Sequence, residues 1–237
     1  MWIMDKVRNH GTLYIVATPI GNLEDITLRA LRVLREVDLI VCEDTRVTKK
    51  LLARYEINKP TLSYFQHSKV SRVEKIMEEL AAGKDVALVT DAGTPGISDP
   101  GNVIVAEAVK RGINAVAVPG PSALTAIACL SGVNMQKFLF LAFPPNKKGR
   151  KKFFAEIAAS KYPVIYYESP HRLMKNLKML VELCPSKGMA AGRELTKVFE
   201  EVVRGSVAEV YEFFSKHPEK VRGEFAIVVY QPKRKNS

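Results

Sequence analysis

Two short charged runs stand out in this chain of 237 residues. Cys42-Glu-Asp-Thr-Arg46 places two carboxylates and a guanidinium directly after an apolar stretch. Gly192-Arg-Glu-Leu-Thr-Lys197 sets a carboxylate three residues before an ammonium. Clustered at a strand end, such groups can move a proton or meet a charged ligand; helix capping accounts for one carboxylate but not for the set. A third run, Lys147-Lys-Gly-Arg-Lys-Lys152, lies beside Phe140, Phe143, Phe153 and Phe154, which suits nucleic acid and equally a solvated face next to a core. Metal chemistry has no such support. Cys42, Cys129 and Cys184 are far apart with no CxxC pair, and His10, His67, His171 and His217 lack ligand spacing. Cys42 and Cys129 sit in apolar runs and are expected as buried thiols.

Glycine-rich turns carry the stronger signal. Val86–Thr90 runs into Asp91-Ala-Gly-Thr-Pro-Gly-Ile-Ser-Asp-Pro-Gly101, with three glycines and two prolines in eleven residues. Neither strand nor helix can continue through that. Gly93, Gly96 and Gly101 permit positive φ and close approach of backbone to a ligand, and Asp99-Pro100 reads as the start of the next helix. Similar turns follow at Thr18-Pro-Ile-Gly-Asn22, where Thr27 or Asp25 can cap a helix, and at Pro119–Ser122. No GxGxxG follows a strand and no GxxxxGK[ST] occurs, so dinucleotide oxidation and P-loop phosphoryl transfer lose their support.

The elements that must position these turns alternate in the first half. Strands are expected at Leu13–Ala17, Leu39–Cys42, Leu62–Phe65, Val86–Val89 and Ala115–Val118. Helices are expected at Leu28–Arg35, Thr48–Tyr55, Val73–Leu80 and Val103–Lys110. This alternation predicts right-handed crossovers and a mainly parallel sheet, and the near-continuous apolar strands imply cover on both faces. Ligands of such sheets lie outside the carboxyl ends of the strands, where the turns fall. After Pro119–Ser122 the pattern changes, with strands expected at Phe138–Leu141, Val164–Glu168, Met189–Arg193, Val198–Arg204 and Phe225–Tyr230. The third and fourth of these are separated by four residues, too few for a parallel crossover, so the second sheet is mixed. The fold class is α/β in two domains, residues 1–120 and 121–237, with a ligand cleft between them.

Charge suggests the partner. Thirty-six Lys and Arg against 25 Asp and Glu give +11, which suits a polyanion whose condensed counterions basic side chains displace. No apolar run approaches the roughly 18 residues of a membrane span, and Met1–His10 has no signal-peptide core. A cytoplasmic location, without membrane partner or metal, follows by elimination.

In order, the stretches ATPIGNLEDITLRAL, CEDTR, TDAGTPGISDPG, VPGPSA, YYESPHRL, GRELTKVFEEVVRG and RGEFAIVV resemble the signatures of the ribosomal RNA small subunit methyltransferase I family, in the tetrapyrrole-methylase superfamily. The resemblance runs from about Gly11 to Tyr230. It implies a homodimer that uses S-adenosylmethionine to methylate the ribose 2′-oxygen of a cytidine in the decoding region of 16S rRNA, in the small ribosomal subunit. Carried over by position, cofactor contacts fall on Gly93, Thr94, Ile97, Ser122, Ala123 and Tyr167, and Pro19 and Gly21 line the substrate side.

A ribose hydroxyl needs its proton removed or polarised. Candidates are Glu43 and Asp44 as acceptors, Glu194 as an alternative base, and Lys197 as a cation for the developing alkoxide, the Glu194/Lys197 pair being placed first. Arg46, Arg172 and Arg193 are candidate phosphate ligands, with His67 also on the substrate side. Three departures from the family pattern stand out: Ser68 replaces the Asn after His67, Ala142 replaces the usual Gly before Phe143, and the sequence stops at Ser237, just past the last strand, where members often carry an additional helical segment. Two rival readings are a small-molecule methyltransferase acting on a tetrapyrrole-type substrate and a non-catalytic RNA-binding assembly factor.

Overall fold

The computed structural model describes residues 10–64 and 70–232. The chain divides between Ser122 and Ala123 into two compact units, each with its own sheet.

In the first unit the strands are β1 (Leu13–Val16), β2 (Leu39–Cys42), β3 (Thr61–Ser63), β4 (Val86–Leu88) and β5 (Ala115–Val118). The helices are α1 (Leu28–Glu36), α2 (Thr45–Arg54), α3 (Val70–Ala81) and α4 (Gly101–Lys110). All strand pairs are parallel, in the order β3-β2-β4-β1-β5. Alternation along the strands feeds two cores. Val16, Ile40, Cys42, Ala87 and Val89 pack with Ala30, Val33 and Leu34 of α1 and Leu51 and Leu52 of α2. Leu13, Val41, Val86 and Leu88 pack with Ile76, Met77 and Leu80 of α3 and with Ile104 and Ala108 of α4. The cover on both faces expected from the apolar strands is therefore present.

This order creates a crevice. From β1 the chain passes over one face through α1 to β2, and from β4 it passes over the other through α4 to β5. β1 and β4 are neighbours, so their loops leave in opposite directions at the carboxyl edge, which is the switch point where open α/β sheets take ligands.

In the second unit α5 (Ala123–Leu130) precedes β6 (Leu139–Phe140), α6 (Arg150–Ala159), β7 (Val164–Glu168) and α7 (Pro170–Leu183). Then come β8 (Gly188–Arg193), β9 (Glu201–Ser206), α8 (Val207–Lys216) and β10 (Phe225–Tyr230). The sheet order is β6-β7-β10-β8-β9; β6 and β7 run parallel and the other pairs antiparallel, as the short β8–β9 connection requires. Phe154, Ile157, Leu173, Leu177, Val210 and Phe214, from α6, α7 and α8, cover one face. α5 lies on the other, so close at Gly192 that a Cβ there would stand 2.8 Å from Ile127 Cδ1.

Several boundaries differ from expectation. α2 starts three residues early because Asp44, in the charged run, is its N-cap. β9 starts at Glu201, not Val198. Val198 and Phe199 stay in the loop, 94% and 62% exposed, although their residue types favour strand. Thr27, not Asp25, caps α1 by accepting from the Ala30 amide. Cys42 and Cys184 are buried, but Cys129 is exposed, because α5 turns only Ile127 fully inward. No helix among the described residues is long and apolar enough to cross a membrane.

Candidate active site

At the carboxyl edge of the first sheet the loop after β1 and the loop after β4 are joined directly. Thr18 N donates to Gly93 O (2.9 Å) and Gly93 N donates to Thr18 O (3.0 Å), while the Thr18 hydroxyl donates to Thr90 O. Gly93 and Gly96 both have positive φ, +85° and +84°, the left-handed region that explains glycine at each. Around Gly93 the nearest atoms to an imagined Cβ are Ile20 Cγ2 at 3.4 Å and Pro121 O at 3.8 Å, ordinary contact distances, so backbone conformation rather than crowding calls for glycine. The Thr94 hydroxyl donates to Pro121 O, joining this loop to the turn after β5. Asp99 closes the far end: its carboxylate accepts from Gly96 N (2.8 Å) and Gly101 N (2.7 Å). The N-cap of α4 is Pro100 rather than Asp99, which sits one residue earlier and clasps the loop instead.

The charged run after β2 separates into unlike parts. Asp44 caps α2 through Arg46 N and pairs with the Arg46 guanidinium at 2.6 Å, which holds its carboxyl down at about 2. It is a poor proton acceptor. Glu43 is half-buried; burial pushes its carboxyl up, the carboxylates of Asp91 and Asp99 push the same way, and a hydrogen bond from the Thr90 hydroxyl only partly opposes them. Thr90, Asp91 and Asp99 all lie at or within the glycine-rich motif, where sequence assigns Asp99 only to the start of the next helix and gives Thr90 and Asp91 no role.

In the second unit the β8–β9 loop forms the other cluster. Glu194 and Thr196 both have positive φ, 50° and 67°. Lys197 Nζ lies 2.9 Å from both Glu194 Oε1 and Glu224 Oε2, and the Glu224 amide also donates to Glu194. Burial raises the Glu194 carboxyl, but the Lys197 ammonium and the Glu224 amide outweigh it and bring it down. Burial likewise lowers Lys197, and the two carboxylates overcome this and raise it. The pair is an anion holding a cation.

Arg193 is buried; its guanidinium donates to Lys220 O (3.0 Å) and Phe199 O (3.1 Å), which removes it from phosphate contact. Arg172 is spent similarly, on Pro144 O, Asn146 Oδ1 and the buried Glu168. Glu168 also accepts from Asn176 and Ser169, a polar group at the end of β7 that the apolar strand pattern concealed. Tyr167 donates its amide to Ala142 O, with Phe140 and Phe143 against its ring at 5.2 and 5.3 Å. Phe154 is core and Phe153 packs on it, so only Phe143 of the four aromatics is markedly exposed.

Comparison with known proteins decides the family. Residues 12–211 match the model described as Tetrapyrrole (Corrin/Porphyrin) Methylases. The ribosomal RNA small subunit methyltransferase I of Thermotoga maritima is 44% identical over 219 residues, 92% of this chain and 98% of that one. The protein of that name from Bacillus subtilis is 44% identical over 220 residues, 92% of this chain and 75% of its own. The chain belongs to the ribosomal RNA small subunit methyltransferase I family.

The fold is that of the tetrapyrrole methylases. Cobalt precorrin-4 methyltransferase superposes with a TM-score of 0.69 at 18% identity, covering 92% of this chain and 94% of that one. Uroporphyrin-III C-methyltransferase from Thermus thermophilus, solved with S-adenosylhomocysteine, gives 0.65 at 19%, covering 93% and 97%. Methyltransferases of this family use S-adenosylmethionine. The residues expected to hold it divide by unit: Gly93, Thr94, Ile97 and Ser122 in the first, Ala123 and Tyr167 in the second. Pro19 is buried and Gly21 exposed in the loop joined to Gly93. His67 lies outside the described residues. Ala142, where the family pattern has glycine, holds φ at 55°, a conformation that costs an L-residue energy.

Proposed function

We propose that this protein transfers a methyl group from S-adenosylmethionine to the ribose 2′-oxygen of cytidine 1402 in the decoding region of 16S rRNA, as a cytoplasmic homodimer acting on the small ribosomal subunit. The observation that carries the reading is the glycine-lined crevice at the β1–β4 switch point, in a chain 44% identical to ribosomal RNA methyltransferases along nearly its whole length. Gly93 and Gly96, both side-chain-free and held in the left-handed conformation, suit a ligand that rests on bare main chain. Gly93, Thr94, Ile97, Ser122, Ala123 and Tyr167 are assigned to the donor, and Pro19, Gly21, Arg46 and His67 to the RNA side.

When bound, the cofactor supplies a methyl carbon already activated by a sulfonium. The protein's task is to align the ribose oxygen and take its proton. Glu43 is assigned as the acceptor, because its raised proton affinity is better matched to a base near neutral pH than that of Asp44 or Glu194. In the second unit Glu194 and Glu224 hold the Lys197 ammonium between two carboxylates, a cluster of net negative charge to which no step on the ribose oxygen is assigned. This reverses the order that residue types alone suggest, in which Glu194 is the base.

The test is incubation with methyl-labelled cofactor and either 30S subunits or naked 16S rRNA, with the product mapped by nucleotide. Label in one cytidine ribose is the expected result. Label that appears only in an added tetrapyrrole, or nowhere, overturns the proposal.

A further inference from the structure

The mechanism above leaves the basic run before and within the first turn of α6 unused. Lys147, Lys148, Arg150, Lys151 and Lys152 put five cations into six residues. None of them takes part in an ion pair among the described residues, although eleven such pairs occur elsewhere. All four lysines are exposed.

Their position is electrostatically adverse. The start of a helix carries the positive end of its dipole and favours Asp or Glu. α6 has no acidic residue in its first turn and no side chain capping it. Gly149, at φ +90°, turns the chain so that Lys147 and Lys148 precede the helix directly. Like charges beside a positive helix end repel one another, so the arrangement is at odds with the stability of the isolated chain and is relieved by an external anion.

The run is nonetheless held in place. Arg150 donates to Asn146 O, and Arg172 donates to Asn146 Oδ1 and Pro144 O. The same loop is bound at Ala142 O by the amide of Tyr167. The backbone that carries the lysines is thereby positioned, while their exposed, flexible side chains remain free to meet a ligand.

We infer that the Lys147–Lys152 run is a backbone-binding surface for the RNA substrate, contacting several consecutive phosphates without reading bases. Four exposed lysines outside any ion pair exceed what one phosphate neutralises, and a polyanion matches both their number and the +11 of the chain. The inference rests on the RNA methylation reading and names where that substrate is gripped.

Two variants test it: Lys147→Ala/Lys148→Ala/Lys151→Ala/Lys152→Ala, and the same four positions as Arg. Binding of 16S rRNA is measured across salt concentrations, with steady-state methyl transfer and cofactor affinity in parallel. Each lost phosphate contact lowers the log–log salt slope by about 0.7–0.9. The alanine variant is expected to lose two or more such increments and to raise KM for RNA at least about tenfold, with kcat and cofactor affinity unchanged. Its melting temperature is expected to stay level or rise, since repulsion is removed, whereas a structural role would lower it. The arginine variant is expected to keep the wild-type slope. A wild-type slope in the alanine variant, while the wild-type enzyme methylates rRNA, overturns this surface and leaves the activity standing. Failure of the wild-type enzyme to bind or methylate rRNA overturns both.

Discussion

Glu43 and Asp44 are neighbours with opposite chemistry, and the difference lies in what each side chain meets. Asp44 turns to a helix start and a guanidinium; Glu43 is half-buried, meets the Thr90 hydroxyl and feels the charges of Asp91 and Asp99. Burial raises the Glu43 carboxyl, so its proton is lost at a higher pH than an ordinary glutamate's, and kcat should fall on the acid side as that proton returns. Thr90→Val removes the one hydroxyl that stabilises the anion, and should move that acid limb to higher pH. Glu43→Gln should remove the limb and lower kcat by about 10²–10⁴-fold with cofactor affinity intact. An unchanged pH profile in both variants would rule Glu43 out. Arg193 makes the complementary point. Arg193→Ala leaves Lys220 O and Phe199 O without a donor, so a loss of about 1–3 kcal/mol in urea unfolding is expected. A phosphate ligand would instead change RNA affinity and leave stability alone. A motif reports residue types; it does not report which arginines are consumed by carbonyls, and Arg172 and Arg193 were illegible for that reason.

At the scale of elements, the first sheet was legible because physics leaves so few ways to bury apolar strands joined by helices. Its boundaries moved where polar residues took structural roles, as Asp44 did in starting α2 early. The β8–β9 connection was less legible: Val198 and Phe199 have strand-forming side chains but stay exposed, and nothing in their types announces the left-handed backbone at Glu194 and Thr196. Within the glycine loop, Gly101 is needed for space rather than for positive φ. A Cβ there would lie 2.8 Å from Asp99 Oδ1 and 3.0 Å from Gly96 N. Gly101→Ala should therefore open the Asp99 clasp, weaken cofactor binding by about tenfold or more, and leave the helix content of the chain unchanged. Calorimetric titration with S-adenosylhomocysteine, set beside circular dichroism, checks this, and wild-type affinity in the variant would show the clasp to be dispensable.

Across the whole molecule, the proposed function assigns the excess of 11 positive charges to RNA and not to the cofactor. KM for rRNA should rise steeply from low to high salt while cofactor affinity stays nearly flat, and equal salt sensitivity of the two would contradict an electrostatic role for the surplus. The reciprocal bonds between Thr18 and Gly93 extend this to the order of events. Neither amide can exchange its hydrogen without parting from the other loop, so the two loops should open together, as one thermal unit. Cofactor added alone should then slow deuterium uptake at Thr18 as well as at Gly93, and slowing confined to Gly93 would show the loops to be independent. On the proposed assignment of Pro19 and Gly21 to the RNA side, a loop quieted by the donor would meet the RNA already ordered, and the entropy of ordering it would be lost once rather than twice. Reciprocity makes RNA tighten the donor by the same factor, so two hydrogen bonds couple the two ligands whichever arrives first.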